Sequence, residues 1–166
     1  MTPRKRGSGK TLVDDARAAI ETCAGMNARM AARRITRFLE ARLLPTGLSL
    51  AQFGLMAHIA AATEGTVGAL ALAMDLDQST LSRNLQALDR LGLVEIAVVE
   101  KDLRRRAVWL TEAGARRLEA AMPAWRDAQA ALAEVVDPVA ARRLAVAAAA
   151  LADPARRSGP TATPGA

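Results

Sequence analysis

Tyrosine is absent, and the aromatic residues are confined to Phe38, Phe53, Trp109 and Trp125. Cysteine and histidine occur once each, as Cys23 and His58. A single cysteine excludes an internal disulfide framework. One cysteine with one histidine leaves no ligand set for a structural zinc ion. His58 is also the one side chain whose ordinary pKa suits acid–base work near neutral pH. No apolar run reaches the ~18 residues of a membrane span. The opening MTPRKRGSGK is basic, but no apolar stretch follows it directly, so it does not read as a secretory signal. GSGKT (7–11) looks like the end of a phosphate-binding loop, yet the full pattern needs glycine where Arg4 stands and a strand before it. These absences argue against an enzyme, a metal-stabilised module and a membrane protein. The expectation is a cytoplasmic protein with no cofactor and no metal.

What is present is alanine and positive charge. Of 166 residues, 51% are hydrophobic, many of them alanine, the residue with the best helix propensity. The net charge is +6 and the pI about 10.9, which points to a polyanionic partner. The first ten residues carry Arg4, Lys5, Arg6 and Lys10 without an acid, and residues 11–151 keep only +1. The informative question is therefore where the charge of the body sits.

Composition predicts a disordered basic arm at 1–13 and a disordered Pro/Gly tail at 152–166. Between them, 14–43 reads as one long helix with two apolar stripes, so it touches two surfaces. LPTGLS (44–49) breaks it, and Ser49 caps a helix over 50–62 with Leu50, Phe53, Met56 and Ile59 inward. Thr66 caps a short helix over 67–74, with Val67, Leu70, Ala71 and Met74 inward. Asp77 caps a helix over 78–91, which Gly92 ends. The period then changes. LVEIAVVE (93–100) has the Val and Ile of a strand, KDLRRR (101–106) reads as a charged turn, and AVWL (107–110) as a second strand. Thr111 caps a helix over 112–135 interrupted near Pro123, and Asp137 with Pro138 starts a last helix ending near Leu151.

Two short helices joined by MDLD fit a helix-turn-helix, whose second helix enters the DNA major groove. Leu81, Leu85, Leu88 and Leu91 form one face of that helix. The opposite face offers Gln78, Ser79, Thr80, Ser82, Arg83 and Asn84, short donors and acceptors with one arginine. Arg suits guanine, Gln suits adenine, and Ser or Thr serves several bases. A solvated helix face would more often carry Glu and Lys. The hairpin turn adds Arg104, Arg105 and Arg106 beside Asp102, with Asp102 placed to pair with Arg104. A basic turn beside a recognition helix is a wing, able to lay an arginine into the minor groove.

GLSLAQFGLMAHI (47–59), DQSTLSRNLQALDRLGLV (77–94) and Asp102-x-Arg104-x-Arg106 leading into LTEAG (110–114) together resemble the multiple-antibiotic-resistance regulator (MarR) family. The resemblance spans about 15–150. It implies a mainly α fold with a small β-hairpin wing: a winged helix-turn-helix at 47–111, flanked by dimerisation helices at 14–46 and 112–151. It implies a sequence-specific transcriptional regulator of double-stranded DNA, a repressor acting as a homodimer on a pseudo-palindromic operator. Ser79, Thr80 and Arg83 would touch bases, Ser82 and Asn84 would lie at or near the backbone, and Arg104 would be the wing arginine. Release would come from a small aromatic or phenolic effector, or from oxidation. The effector pocket would include Met26, Asn27, Met30, Phe53, Met56, Ala57 and Trp125. The alternative is an architectural protein that binds DNA without sequence preference. Cys23 is the candidate redox residue. Because this chain lacks the tyrosines that accompany a sensing thiol in the family, a buried structural cysteine is the favoured reading. Trp109 and Trp125 read as packing anchors, and His58 as an ordinary hydrogen-bonded histidine.

Overall fold

The computed structural model describes residues 11–62, 65–99 and 102–151, and of residues 98, 99 and 102–105 the backbone only. Residues 1–10 of the basic arm, with GSGK, residues 63 and 64, the turn residues 100 and 101, and the tail lie outside the described residues. The chain divides into two compact units, Met1–Arg126 and Asp127–Ala166.

The first unit opens with two helices where one was expected. Helix α1 (Leu12–Thr22) starts two residues inside the predicted arm, because Thr11 and Asp14 form a reciprocal capping box. It stops at Cys23, whose extended backbone separates it from α2 (Ala24–Leu43). The break is satisfied locally: Asn27 Nδ2 donates to the Glu21 carbonyl at 3.0 Å and Thr22 Oγ1 to the Ala18 carbonyl at 2.7 Å. Of the two apolar stripes, only the end of α2 is covered, at Leu39 and Leu43. Ile20, Met26 and Met30 are exposed.

A 3-10 turn (Leu44–Thr46) and Gly47, at φ 74°, reverse the chain into α3 (Leu50–Ala61). Ser49 and Gln52 close a second capping box. Phe53, Met56 and Ile59 are buried as the spacing predicts. Leu55, off that stripe, is fully buried as well, so α3 is enclosed on more than one side. Helix α4 (Val67–Ala73) is capped by Thr66, and α5 (Gln78–Arg90) by Asp77.

Both helices of this pair end in the same hydrogen-bond pattern. After α4, Asp75 takes a positive φ of 50°, while Leu76 N donates to the Ala71 carbonyl and Asp75 N to the Leu72 carbonyl. After α5, Gly92 has φ 66°, with Leu93 N on the Leu88 carbonyl and Gly92 N on the Asp89 carbonyl. This two-bond closure satisfies carbonyls that the helix end would leave without partners. Leu81, Leu85 and Leu88 anchor α5 with 2% exposure or less. Each such side chain contributes about 1.5–3 kcal/mol by leaving water. Leu91 departs from the predicted stripe: it is the C-cap and is 58% exposed.

Strand β1 (Val94–Val99) pairs antiparallel with β2 (Asp102–Leu110), which is longer than expected. The predicted charged turn at 101–106 is thus largely strand, and Arg106 stands opposite Val98. The register shifts between Val98, opposite Arg106, and Val99, opposite Asp102, so the intervening arginines fall at an irregularity of the ladder. Val94 and Val108 are buried on the inner face, while Glu95 pairs with Trp109 on the outer. Trp109 is not the expected packing anchor: it is 43% exposed, its Nε1 donating to Glu95 Oε2 at 3.0 Å. A single bridge between Thr66 and Ala107 ties the hairpin to the start of α4.

Helix α6 (Glu112–Ala133) runs through Pro123 without the expected interruption. Within the first unit, Trp125 stacks on Phe53 with ring centroids 5.8 Å apart, and Leu118 and Ala121 complete the core. The described part of the second unit is the end of α6 and α7 (Pro138–Ala149), where Asp137 accepts from Val139 N as the sequence suggests. No residue of α7 is buried.

Candidate nucleic-acid interface

Three anchored leucines on one side of α5 leave its other side in solvent. Gln78, Ser79, Arg83 and Gln86 are exposed, and Thr80, Ser82 and Asn84 are half-buried. The six recognition-helix residues picked from the sequence therefore share one helix, with short polar groups over its first two turns. No bulky apolar or lysine side chain stands among them to hold the helix away from a partner.

The first turn is tied together by a carboxylate. Asp77 Oδ1 accepts from the Thr80 backbone N–H at 2.8 Å and from Ser79 Oγ at 2.6 Å. Asp77 Oδ2 accepts from Thr80 Oγ1 at 2.8 Å, and Thr80 Oγ1 accepts in turn from Arg83 Nη2 at 3.2 Å. Hydrogen bonds from the Ser79 hydroxyl, then the Thr80 backbone and hydroxyl, hold the Asp77 carboxyl below the usual carboxylate range. A pKa lowered by folding favours the fold above the ordinary carboxylate range, and that contribution fades only as the pH falls below it. The network is therefore intact at neutral pH. The sequence pattern marks Asp77 as a cap alone. The signal for its larger role was DQST itself, since Asp followed by Ser and Thr two and three places on favours side-chain turns.

Of the wing residues, Arg106 is exposed on β2. The side chains of Asp102, Arg104 and Arg105 lie outside the described residues, and so does the pairing expected between Asp102 and Arg104. Position relative to α5 is set by backbone contacts at the hairpin's base. Thr111 N donates to the Leu93 carbonyl at 3.2 Å, and Thr111 Oγ1 to the Gly92 carbonyl at 2.7 Å. Thr111 Oγ1 also accepts from Gly114 N at 2.9 Å, so LTEAG joins the end of α5, the wing and the start of α6.

The seven candidate effector residues divide into two groups. Met26, Asn27 and Met30 line an open cavity of about 450 Å³ beside the α1–α2 break, with Ile20, Cys23, Arg29 and Arg33. Phe53 and Met56 are buried in the core, Trp125 stacks on Phe53, and Ala57 is half-buried; none of these four lines that cavity. Cys23 is exposed rather than buried, because it sits at the break in an uncovered helix pair. His58 is exposed near the end of α3. Among the described residues, no group of His, Cys, Asp and Glu is placed to hold a metal ion, and no single helix is long and apolar enough to cross a membrane.

The family model described as MarR family matches residues 46–105. The transcriptional regulator MosR of M. tuberculosis, in a crystal structure with DNA, is 33% identical, with a TM-score of 0.71 over 78% of this chain and 96% of MosR. A mutant of E. coli MarR complexed with operator DNA is 23% identical, with a TM-score of 0.68 over 87% of this chain and all of that one (100%). The transcriptional repressor CouR, bound to a DNA duplex, is 20% identical, with a TM-score of 0.69 over 81% of this chain and 96% of CouR. At these lower identities the last two show the shared fold alone. No curated protein matches the sequence.

Proposed function

The chain belongs to the MarR family of transcriptional regulators and is a DNA-binding regulator, not an enzyme; from that premise we propose that it recognises a specific operator as a homodimer and represses transcription. The observation that carries this reading is the DNA-bound relative, 33% identical over 96% of its length, joined to a polar reading edge on α5 of this chain. Each protomer would set α5 in the major groove of one half-site. Gln78, Ser79, Thr80 and Arg83 would face bases, Ser82 and Asn84 would lie near the backbone, and the arginines of β2 would follow the minor groove. Such a protein works beside the chromosome, in the bacterial cytoplasm. Repression agrees with the description of CouR as a repressor on DNA.

Release by a small aromatic acid is supported by the cavity beside Cys23, where Met26 and Met30 offer adaptable apolar contacts and Arg29 and Arg33 positive charge. Oxidation of the exposed Cys23 is a second route. Operator binding measured with benzoate-like acids, and with peroxide before and after Cys23→Ser, separates the two. Binding unchanged by every addition removes both.

The test of the main reading is selection of sites from a random duplex library in moderate salt. An inverted repeat is expected, its half-sites one or more helical turns apart. Absence of any enriched motif would leave the architectural alternative. On the selected duplex, Arg83→Ala should cost about 1–3 kcal/mol and relax the preference at one position of each half-site. Normal operator binding by that variant would remove α5 as the reader. Affinity should also fall linearly on logarithmic axes with salt, by about 10³-fold between ~50 and ~200 mM if some six phosphates are neutralised. A flat salt profile would contradict phosphate contact.

A further inference from the structure

The reading edge of α5 holds a carboxylate, a group that a DNA-facing surface normally excludes. Its hydrogen bonds fix what the neighbouring hydroxyls can do. A carboxylate accepts hydrogen bonds and donates none. With Ser79 Oγ 2.6 Å and Thr80 Oγ1 2.8 Å from the Asp77 oxygens, both hydroxyl protons must point at Asp77. Ser79 then offers only lone pairs to the outside. Thr80 Oγ1 spends one lone pair on Arg83 Nη2 and keeps one.

A serine or threonine hydroxyl that turns freely can donate to one base and accept from another, which makes it a poor discriminator. Locked hydroxyls are different. A phosphate oxygen, guanine O6 and N7, and thymine O4 are all acceptors and gain nothing from them, and a phosphate also meets the Asp77 charge. The donors of the major groove are the exocyclic amino groups, N6 of adenine and N4 of cytosine.

We infer that Asp77 sets the hydrogen-bond polarity of the two hydroxyls on the reading edge, so that Ser79 and Thr80 recognise base amino groups while Arg83 and the Gln78 amide supply donors to base acceptors. Asp77 is a positioning residue in this scheme and touches no base. The inference rests on the proposal that α5 reads the major groove.

Asp77→Asn tests it with little disturbance, because Asn caps helices as well as Asp. The Asn oxygen keeps the place of Oδ1, holding Thr80 N and Ser79 Oγ. Its amide nitrogen takes the place of Oδ2 and donates to Thr80 Oγ1. Thr80 Oγ1 then accepts from two donors, Asn and Arg83, and must turn its own proton outward. One hydroxyl changes from acceptor to donor.

The experiment selects sites from a random duplex library with the full-length wild type, Asp77→Asn and Thr80→Val. The selected wild-type duplex is then rebuilt with each adenine lacking its 6-amino group and each cytosine lacking its 4-amino group, one at a time. For the wild type, removal of either of two amino groups in each half-site, one met by Ser79 and one by Thr80, should weaken binding roughly three- to tenfold, the worth of one hydrogen bond. Asp77→Asn should keep the amino group met by Ser79, but at the Thr80 position it should select a base with an oxo acceptor and become insensitive to the amino deletion. Thr80→Val should lose the preference there and acquire none. An enriched wild-type motif that tolerates every amino deletion overturns the inference and leaves the operator reading standing. The same motif selected by wild type and a folded Asp77→Asn also overturns it. If Asp77→Asn does not fold, the amino deletions on wild type and the Thr80→Val selection decide alone. No enriched motif with wild type overturns the operator reading and the inference together.

Discussion

Deleting residues 139–151 is expected to yield a folded monomer whose operator affinity is lower by about 10²–10⁴-fold, the factor lost when two linked contacts become independent. The argument starts from exposure. Helix α7 buries none of its residues, and Val139, Leu144 and Val146, together with Leu151 just beyond it, are 54%, 55%, 66% and 82% exposed. The core of the first unit contains none of them, so their removal opens no cavity there. Arg142 and Arg143 give α7 an exposed charged side, and in the proposed homodimer a second copy of the chain would cover the apolar side chains beside them. Four such side chains per protomer are eight per dimer, and full burial contributes about 1.5–3 kcal/mol each. Since about a third of their surface is already covered, the pair gains on the order of 10 kcal/mol, comparable with the roughly 4–15 kcal/mol that association costs. Sedimentation of the truncated chain and titration of whole and half operators check the prediction. A truncated chain that remains dimeric would move the interface to the N-terminal helices. A monomer that keeps full affinity would remove the need for two half-sites.

The sequence foretold the helix-turn-helix better than its flanks, and the reason lies in what each part encodes locally. Asp77, Ser49 with Gln52, and Gly92 are caps whose chemistry acts within a few residues, so their effect is visible in one dimension. The leucines of α5 likewise report a buried face by spacing alone. The break at Cys23 carries no such signal, since alanine-rich sequence on both sides favours helix throughout. Pro123 carried the opposite error: an internal proline commonly ends a helix, yet α6 continues through it. The arginines of β2 read as a turn because charge runs usually lie in turns, while the partner that makes Arg106 strand is Val98 of β1, on the far side of the hairpin's turn. The exposure of Cys23, Ile20 and Met26 is invisible to periodicity, which shows that a stripe is apolar but not what covers it. The Asp77 network was within reach of the sequence, but only if Asp77, Ser79, Thr80 and Arg83 are read as partners of one another rather than as a cap and three separate contacts to DNA.

Gly114→Ala is expected to destabilise the protein by about 3 kcal/mol or more, at the upper end of overpacking costs. A Cβ at this position would lie 2.0 Å from the Leu93 carbonyl oxygen and 2.9 Å from its carbon. Both are backbone atoms, and neither can swing aside as the end of a long side chain can. Leu93 N is held by the Leu88 carbonyl and the Leu93 carbonyl by Thr111 N, so the obstructing peptide is fixed from both sides. Relief requires lifting the start of α6 from the hairpin, which breaks the Thr111 bonds to Leu93 and Gly92 and uncovers Leu93 and Val94, both nearly fully buried. For a domain of this size the loss corresponds to a fall in Tm of roughly 6–12 °C. The same displacement tilts the wing away from α5, so operator affinity should drop even at temperatures where the variant is folded. Gly68→Ala is the control. Its Cβ meets nothing within 4 Å, and replacing glycine inside α4 should raise stability by roughly 0.5–1 kcal/mol. Thermal unfolding of the two variants side by side gives the result. If Gly114→Ala melts with the wild type, the close approach of α6 to Leu93 does not exist in solution; if both variants fall together, the cost is not specific to that contact.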